Sequence, residues 1–478
     1  MPRLALPPQV LIPLIVACAL FMEQVDATVI ATSLPAIAAD LHEDPVALKL
    51  ALTSYLLSLA VFIPASGWAA DRYGARTVFR SAIVIFTLGS VLCALATSLA
   101  DFVLYRVIQG LGGAMMVPVG RLVILRAVPK SELVSALAWL TIPALLGPVI
   151  GPPLGGFITT YFDWRLVFLI NVPIGILGVF LATRFIENVR AEDVPPLDLK
   201  GLVLSGIGLA GLVFGFAVLG QHLVPLWVVV IVTGIGALSL AAYVRHARHT
   251  PHAVLDLRLM RYPTFRACVV GGSLFRVGIG ALPFLLPLLL QLVYGLSPLA
   301  SGLITFSASA GAIVMKVTAA RILRTVGYKR VLTVNAVVSA GFIAAYALFT
   351  AQTPYWLIVS LLLLGGFLRS LQFTALNALS YAEVQDREMS SATSFASVAQ
   401  QVSLSTGVAL AGLVLEMMRG SRHELHVTQA DFTAAFLVVA VVSALSVFHF
   451  ILLPKTAGRE LIAKPADITD PRGEVEQH

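Results

Sequence analysis

The chain has 478 residues, 58% of them hydrophobic and 12% charged, against roughly 25% charged in a soluble domain, so it reads as a polytopic membrane protein. A formal net charge of +7 in such a chain reports basic loops on one side of a bilayer and not a nucleic-acid surface. Cys18, Cys93 and Cys268 all fall in apolar runs, which argues against a disulfide framework, and His246, His249 and His252 lack zinc spacing, so no metal or organic cofactor is expected.

The first apolar run, 10–37, is too long and too acidic for a cleaved signal peptide and is read as a membrane span. It holds Glu23 and Asp26, which at a spacing of three share one helix face about a turn apart. An ionisable group deep in a membrane costs roughly 2.5–3.5 kcal/mol and usually marks an ion or substrate path. Two neighbouring carboxylates in such a place suit a site that gains and loses a proton.

Further apolar runs follow at 48–70, 78–98, 102–125, 135–157 and 167–186, which completes a first set of six within residues 1–188. A polar link, 189–200, leads to two more runs, 201–219 and 226–243, read as an inserted two-helix hairpin over 201–244. After a loop, 245–264, a second set of six occupies 265–454, and a polar tail runs over 455–478. The total is roughly fourteen spans. With the N-terminus inside, roughly 23 Lys and Arg lie in inner loops and about four outside, namely Lys49, Arg165, Arg419 and Arg422. Both termini are then cytoplasmic.

Arg106, Arg121, Arg276, Lys316 and Arg369 fall inside spans, while Glu23 and Asp26 are the only deep acids. At about 1.5 Å per residue, Asp26 and Arg106 reach a similar depth near the outer edge of the bilayer, so the two are expected to meet. Arg121 and Lys316 lie near inner ends and are expected to snorkel. Arg276 is too deep for that and is a candidate cavity residue, as are Arg369, Gln291, Gln372, Gln400 and Gln401, although amides in spans also join helices.

Five motifs carry a family resemblance. After the second span, G-W-A-A-D-R-Y-G-A-R (Gly67, Asp71, Arg72, Gly74, Arg76) resembles the loop signature of the major facilitator superfamily. Gly67 is expected to permit close helix approach and Gly74 a tight turn, and Asp71 is expected to brace a cytoplasmic gate against a helix start near Ser390. In the fourth span R-V-I-Q-G-L-G-G-A (Arg106, Gln109, Gly110, Gly113) resembles its proton-linked arginine motif. In the fifth, G-P-V-I-G-P-P-L-G-G (Gly147, Pro148, Gly151, Pro152, Gly155, Gly156) is similar to the antiporter motif of exporters, a glycine ridge suited to close packing. Asp26, Thr28 and Pro35, with D-W-R-L-V-F-L-I-N-V-P-I-G (Trp164, Arg165, Phe168, Asn171, Pro173, Gly175), resemble the marks of the fourteen-span drug:proton antiporters. A worn copy of the loop signature, with Gly327, Lys329 and Arg330 kept but Arg324 where Asp71 would align, marks the internal repeat.

The resemblance implies an all-α membrane protein with the major facilitator fold, two pseudo-symmetric six-helix bundles and an inserted hairpin. It further implies a monomeric exporter of the bacterial inner membrane that moves amphipathic drugs or toxic metabolites against protons, drawing on the proton-motive force. Asp26, Glu23 and Arg106 would couple the proton, and Arg276, if it lines the cavity, would favour an anionic or zwitterionic substrate. An uptake symporter, a non-transporting sensor and an intramembrane enzyme are the rivals. The chain lacks H-E-x-x-H and G-x-S-x-G, and its deep acids sit on one helix and not across a cleft, which counts against the enzyme.

Overall fold

The computed structural model describes residues 8–461 except 129–132, 192, 193, 195, 220–224, 252, 386, 387, 423–425, 455, 459 and 460. Among the described residues there are seventeen α-helices and no strand. The first half comprises α1 (Pro8–Val29), α2 (Leu34–Asp40), α3 (Lys49–Tyr73), α4 (Ala75–Ala94), α5 (Leu99–Ala127), α6 (Leu133–Tyr161), α7 (Leu166–Leu169) and α8 (Asn171–Phe185). Two helices follow, α9 (Leu199–Val218) and α10 (Leu226–His249). The second half comprises α11 (Pro263–Leu288), α12 (Pro298–Val326), α13 (Tyr328–Tyr346), α14 (Tyr355–Ser380), α15 (Met389–Arg422), α16 (Gln429–Ala444) and α17 (Ser446–Ile451).

Twelve stretches among the described residues are long and apolar enough to cross a membrane, against the fourteen expected. The two expected spans outside that set correspond to α6 and to α13, which is 19 residues long and carries Lys329 and Arg330 in its first turn. The expected first run does not continue as one helix. Pro35 lacks an N–H and its ring crowds the preceding turn, so α1 gives way to a 3-10 turn over Ile30–Thr32 before α2 begins. Likewise Pro283 and Pro287 near the end of α11 precede a π-helical turn at Leu289–Val293.

In the first half α1 lies along α6, and α5 is clasped by α3 and α4; in the second, α12 lies along α14, and α11 along α15. The halves meet along α6 with α12 and along α3 with α15, while α9 and α10 pack on each other and α9 touches both α3 and α15. The internal repeat is visible in two matching turns. Gly74 between α3 and α4 has φ +93° and Gly327 between α12 and α13 has φ +82°, a backbone region that glycine enters without strain. We call the end of the molecule carrying these turns the basic end.

The opposite end is sealed by contacts between the halves. Lys49, at the start of α3, is fully buried and lies 2.9 Å from Glu416 near the end of α15. Lys49 is therefore no exposed loop cation, as its position beside an apolar run suggested, and Glu416 is a further buried acid, near the end of its run. Arg419 also pairs with Asp44, Gln291 Nε2 donates to the Thr32 carbonyl at 2.9 Å, and the Leu299 N–H donates to Thr160 Oγ1 at 3.0 Å.

Candidate functional site: a buried ion pair beside a cavity

Asp26 is fully buried on α1, and its two oxygens accept from three side chains on two helices, α5 and α8. Arg106 Nη1 on α5 donates to Oδ2 at 2.7 Å, while Gln109 Nε2 and Asn171 Nδ2 donate to Oδ1 at 2.8 and 3.0 Å. The meeting of Asp26 and Arg106 that helix depth implied is thus present in the geometry. Ser90 Oγ on α4 accepts from the same two amides, at 2.8 and 3.1 Å, which fixes both side chains behind the carboxylate. Arg106 is itself buried, with Nε donating to the Ala51 carbonyl at 3.4 Å and its guanidinium carbon 4.2 Å from the centre of the Tyr55 ring. A cation over a desolvated ring adds roughly 0.5–2 kcal/mol.

The local sequence explains the convergence. Arg106 and Gln109 share a helix face at a spacing of three. A Cβ on Gly110 would lie 2.6 Å from Ser58 of α3, and one on Gly112 would lie 2.5 Å from the Phe86 nitrogen of α4, so α5 can be squeezed between them only with glycine there. Pro173 cannot bond to the carbonyl of Leu169, and the helix breaks between α7 and α8, where Asn171 opens α8 facing Asp26. Gln109, Asn171, Ser90 and Tyr55 complete the site. The first two stand in the quoted motifs, but their role as carboxylate donors shows only in the structure.

The glycine ridge of α6 packs as its spacing suggested. A Cβ on Gly147 would come 2.5 Å from Gln24, on Gly151 2.0 Å from Thr28, on Gly155 2.2 Å from the Val29 carbonyl, and on Gly156 2.4 Å from the Pro298 carbonyl of α12. The Pro148 and Pro152 carbonyls accept from Ser309 and Thr32 at 2.8 and 3.4 Å. Gly155→Ala should therefore shift α1 and cost about 1–3 kcal/mol by overpacking. We expect a lower unfolding temperature in detergent and impaired transport. Gly67→Ala is the control that should leave the unfolding temperature unchanged.

That control rests on a correction. Gly67 is exposed and an added Cβ would meet nothing within 4 Å, so in this structure no helix approaches it. Asp71 likewise pairs with Arg126 of α5 and not with the start of α15, where Ser390 is exposed. The loop signature instead fastens the strip after α8. Arg76 Nη1 donates to the Ile186 carbonyl at 3.3 Å, the Ala191 N–H donates to the Asp71 carbonyl at 3.1 Å, and Arg72 is exposed.

Between the halves lies a cavity of about 370 Å³, which extends from Glu23 toward the turn joining α14 and α15. Its size falls in the range of small-molecule sites, roughly 300–1,000 Å³. Three charged side chains line it, Glu23 and Arg121 from the first half and Arg276 from the second, together with Gln400 and Gln401. Glu23 is 5% exposed, and neither of its oxygens accepts a hydrogen bond from the described residues. Arg276, 3% exposed, has no acid partner among the described residues, its Nε is unsatisfied, and its guanidinium carbon lies 5.6 Å from the centre of the Phe373 ring. Leaving a buried charge unpaired costs several kcal/mol, so Arg276 is held there at a cost that folding alone does not explain.

The remaining candidates fall elsewhere. Arg121 faces the cavity and does not simply snorkel, whereas Lys316 Nζ donates to Thr374 at 2.9 Å. Gln372 is bound to Asn335 and to the Leu332 carbonyl at 2.9 and 3.0 Å and joins α14 to α13. Gln291 belongs to the sealed end, and Arg369 is part-buried on α14 outside the cavity lining. Sequence alone cannot separate these from Gln400 and Gln401, because it does not give the rotation of each helix.

Two bundles of helices around a central cavity, with buried charges at its head, define a membrane transporter and not an enzyme. The sequence profile of the Major Facilitator Superfamily matches residues 16–408 and again 268–472. The chain is 37% identical to a protein of Pectobacterium atrosepticum named for multidrug resistance, MdtD, over 92% of this chain and 95% of the relative. It is also 37% identical to MdtD of Salmonella heidelberg, over 94% and 96% of the two chains. The chain belongs to the Major Facilitator Superfamily, within its drug:proton antiporter family. The fold is similar to that of a D-xylose-proton symporter (TM-score 0.66, 17% identity, 94% and 98% of the chains). It is also similar to that of the human organic anion transporter MFSD10 (0.62, 14%, 93% and 100%).

Proposed function

We propose that the chain is a proton-coupled antiporter that exports small amphipathic molecules, drugs or toxic metabolites, by alternating access. It would act as a monomer in the bacterial inner membrane with fourteen spans, counting α6 and α13, with α9 and α10 as the inserted hairpin. The basic end would be cytoplasmic, following the excess of Lys and Arg, and the cavity with its sealed opposite end is then an inward-facing state. The observation that carries this reading is Glu23, unpartnered in the cavity, three residues from an Asp26 locked to Arg106. No organic cofactor is needed, because the proton-motive force supplies the work.

In the proposed cycle, ionised Glu23 binds substrate from the cytoplasm and the loaded transporter turns outward. A proton arriving from the periplasmic side replaces the substrate. Protonation near Asp26 weakens the grip on Arg106 and favours the return inward, where the proton leaves. Each charge crossing 100 mV gains ~2.3 kcal/mol, which biases a two-state equilibrium by tens of fold. The similarity to relatives named for multidrug resistance supports the same direction.

The test is transport in everted membrane vesicles, whose interior corresponds to the periplasm. An acid-inside gradient should drive accumulation of a fluorescent amphipathic substrate, and collapsing the gradient should abolish it. Accumulation indifferent to the gradient would sink proton coupling.

A further inference from the structure

Resting on the antiport reading, we infer that the cavity takes amphoteric substrates, with an acidic group held by Arg276 and a cationic group held by Glu23. The two side chains come from opposite halves, Glu23 on α1 and Arg276 on α11, and both line the same cavity. Both are more than nine-tenths buried and both have polar atoms with no partner among the described residues. With Glu23 ionised, the three charged lining groups sum to +1, one acid against two arginines. A substrate that is only a cation answers Glu23 but leaves Arg276 unpaired and adds a like charge. An acid at the guanidinium instead gains charge-assisted hydrogen bonds with a side chain that is 3% exposed and has no acid partner among the described residues.

Exchange chemistry selects between the two simpler alternatives. A substrate that is only an anion would bind better when Glu23 carries a proton, so proton and substrate would travel together. A cationic group at Glu23 competes directly with the proton, which is what antiport requires. Only a molecule carrying both groups satisfies Arg276 and still expels the proton. The second-half wall adds neutral hydrogen-bonding groups, Gln400, Gln401 and Asn377, and no acid, which fits an acidic end on that side.

The probe is a quinolone carboxylic acid bearing a free piperazine amine, compared with its methyl ester, which keeps the amine alone, and its N-acetyl derivative, which keeps the acid alone. Binding to purified full-length protein is measured by calorimetry at neutral pH. The amphoteric form should bind at least about tenfold more tightly than either derivative. Arg276→Gln should weaken it to the level of the ester, Glu23→Gln to the level of the N-acetyl compound. Arg276→Lys, which retains the charge, should keep part of the preference for an acid and covers the case in which Arg276→Gln fails to fold. Equal binding of the ester, tightest binding of the N-acetyl compound, or no binding of the amphoteric form at millimolar concentration would each overturn the inference. Selective binding without proton release would overturn antiport and leave the substrate class standing. Proton release by the ester alone, with no effect of Arg276→Gln, would do the reverse.

Discussion

Replacing Arg106 with leucine should remove about 3–5 kcal/mol of stability and abolish transport, because it strands the Asp26 carboxylate with only two amide donors and no countercharge. The surrounding pocket cannot supply a substitute. Arg106 and Asp26 are both buried, and the guanidinium also reaches Gln109, the Ala51 carbonyl and the Tyr55 ring. Arg106→Lys should fall between wild type and leucine, since one ammonium on a flexible stem cannot serve those directions at once. The double variant Asp26→Asn/Arg106→Leu should recover much of the stability, as no lone charge remains, yet it should not transport. Thermal unfolding of the purified proteins in detergent reads the first quantity. A leucine variant as stable as wild type would show that the pair is not what holds α1 to α5.

The second large effect concerns the sealed end. Lys49 and Glu416 form a buried ion pair between α3 and α15, backed by Ser405 Oγ donating to the Thr53 carbonyl at 3.3 Å. Opening that end to release substrate must separate the pair. Lys49→Met or Glu416→Gln leaves one charge buried without its partner, and a loss of about 3 kcal/mol shifts a two-state equilibrium by roughly 100-fold toward the open form. The readout is thiol labelling of a cysteine placed at Thr53, in a background without Cys18, Cys93 and Cys268. Labelling should rise by an order of magnitude or more in each single variant. It should fall again in Lys49→Met/Glu416→Leu, because an apolar pair of similar volume seals as well as the ions do. Singles that label as slowly as wild type would remove this pair from the gating step.

How far the site could be read from the sequence depended on what kind of information each residue carries. Asp26 and Arg106 stand out because charges inside apolar runs are costly, and helix rise alone brings them to one depth. The α6 ridge is legible because a spacing of four glycines has one packing consequence, and Gly155 against Val29 realises it. Lys49 and Glu416 were hidden because each lies at the edge of an apolar run, where a charge normally reaches water. Gln372 and Gln400 look alike in sequence and differ only in which way their helices turn. The contacts expected of Gly67 and Asp71 depend on how distant helices are arranged and are absent in this structure, while the Gly74 turn, a purely local requirement, is present.

The most direct test of the account is proton release from purified protein in weakly buffered detergent solution when the amphoteric quinolone is added, comparing wild type with Glu23→Gln and Asp26→Asn. The account predicts a release of about one proton per bound molecule in wild type. It predicts none in Glu23→Gln and a retained release in Asp26→Asn. Release that survives in Glu23→Gln but disappears in Asp26→Asn would contradict the role of Glu23 as the exchanging group, and binding with no release in any of the three would contradict proton antiport itself.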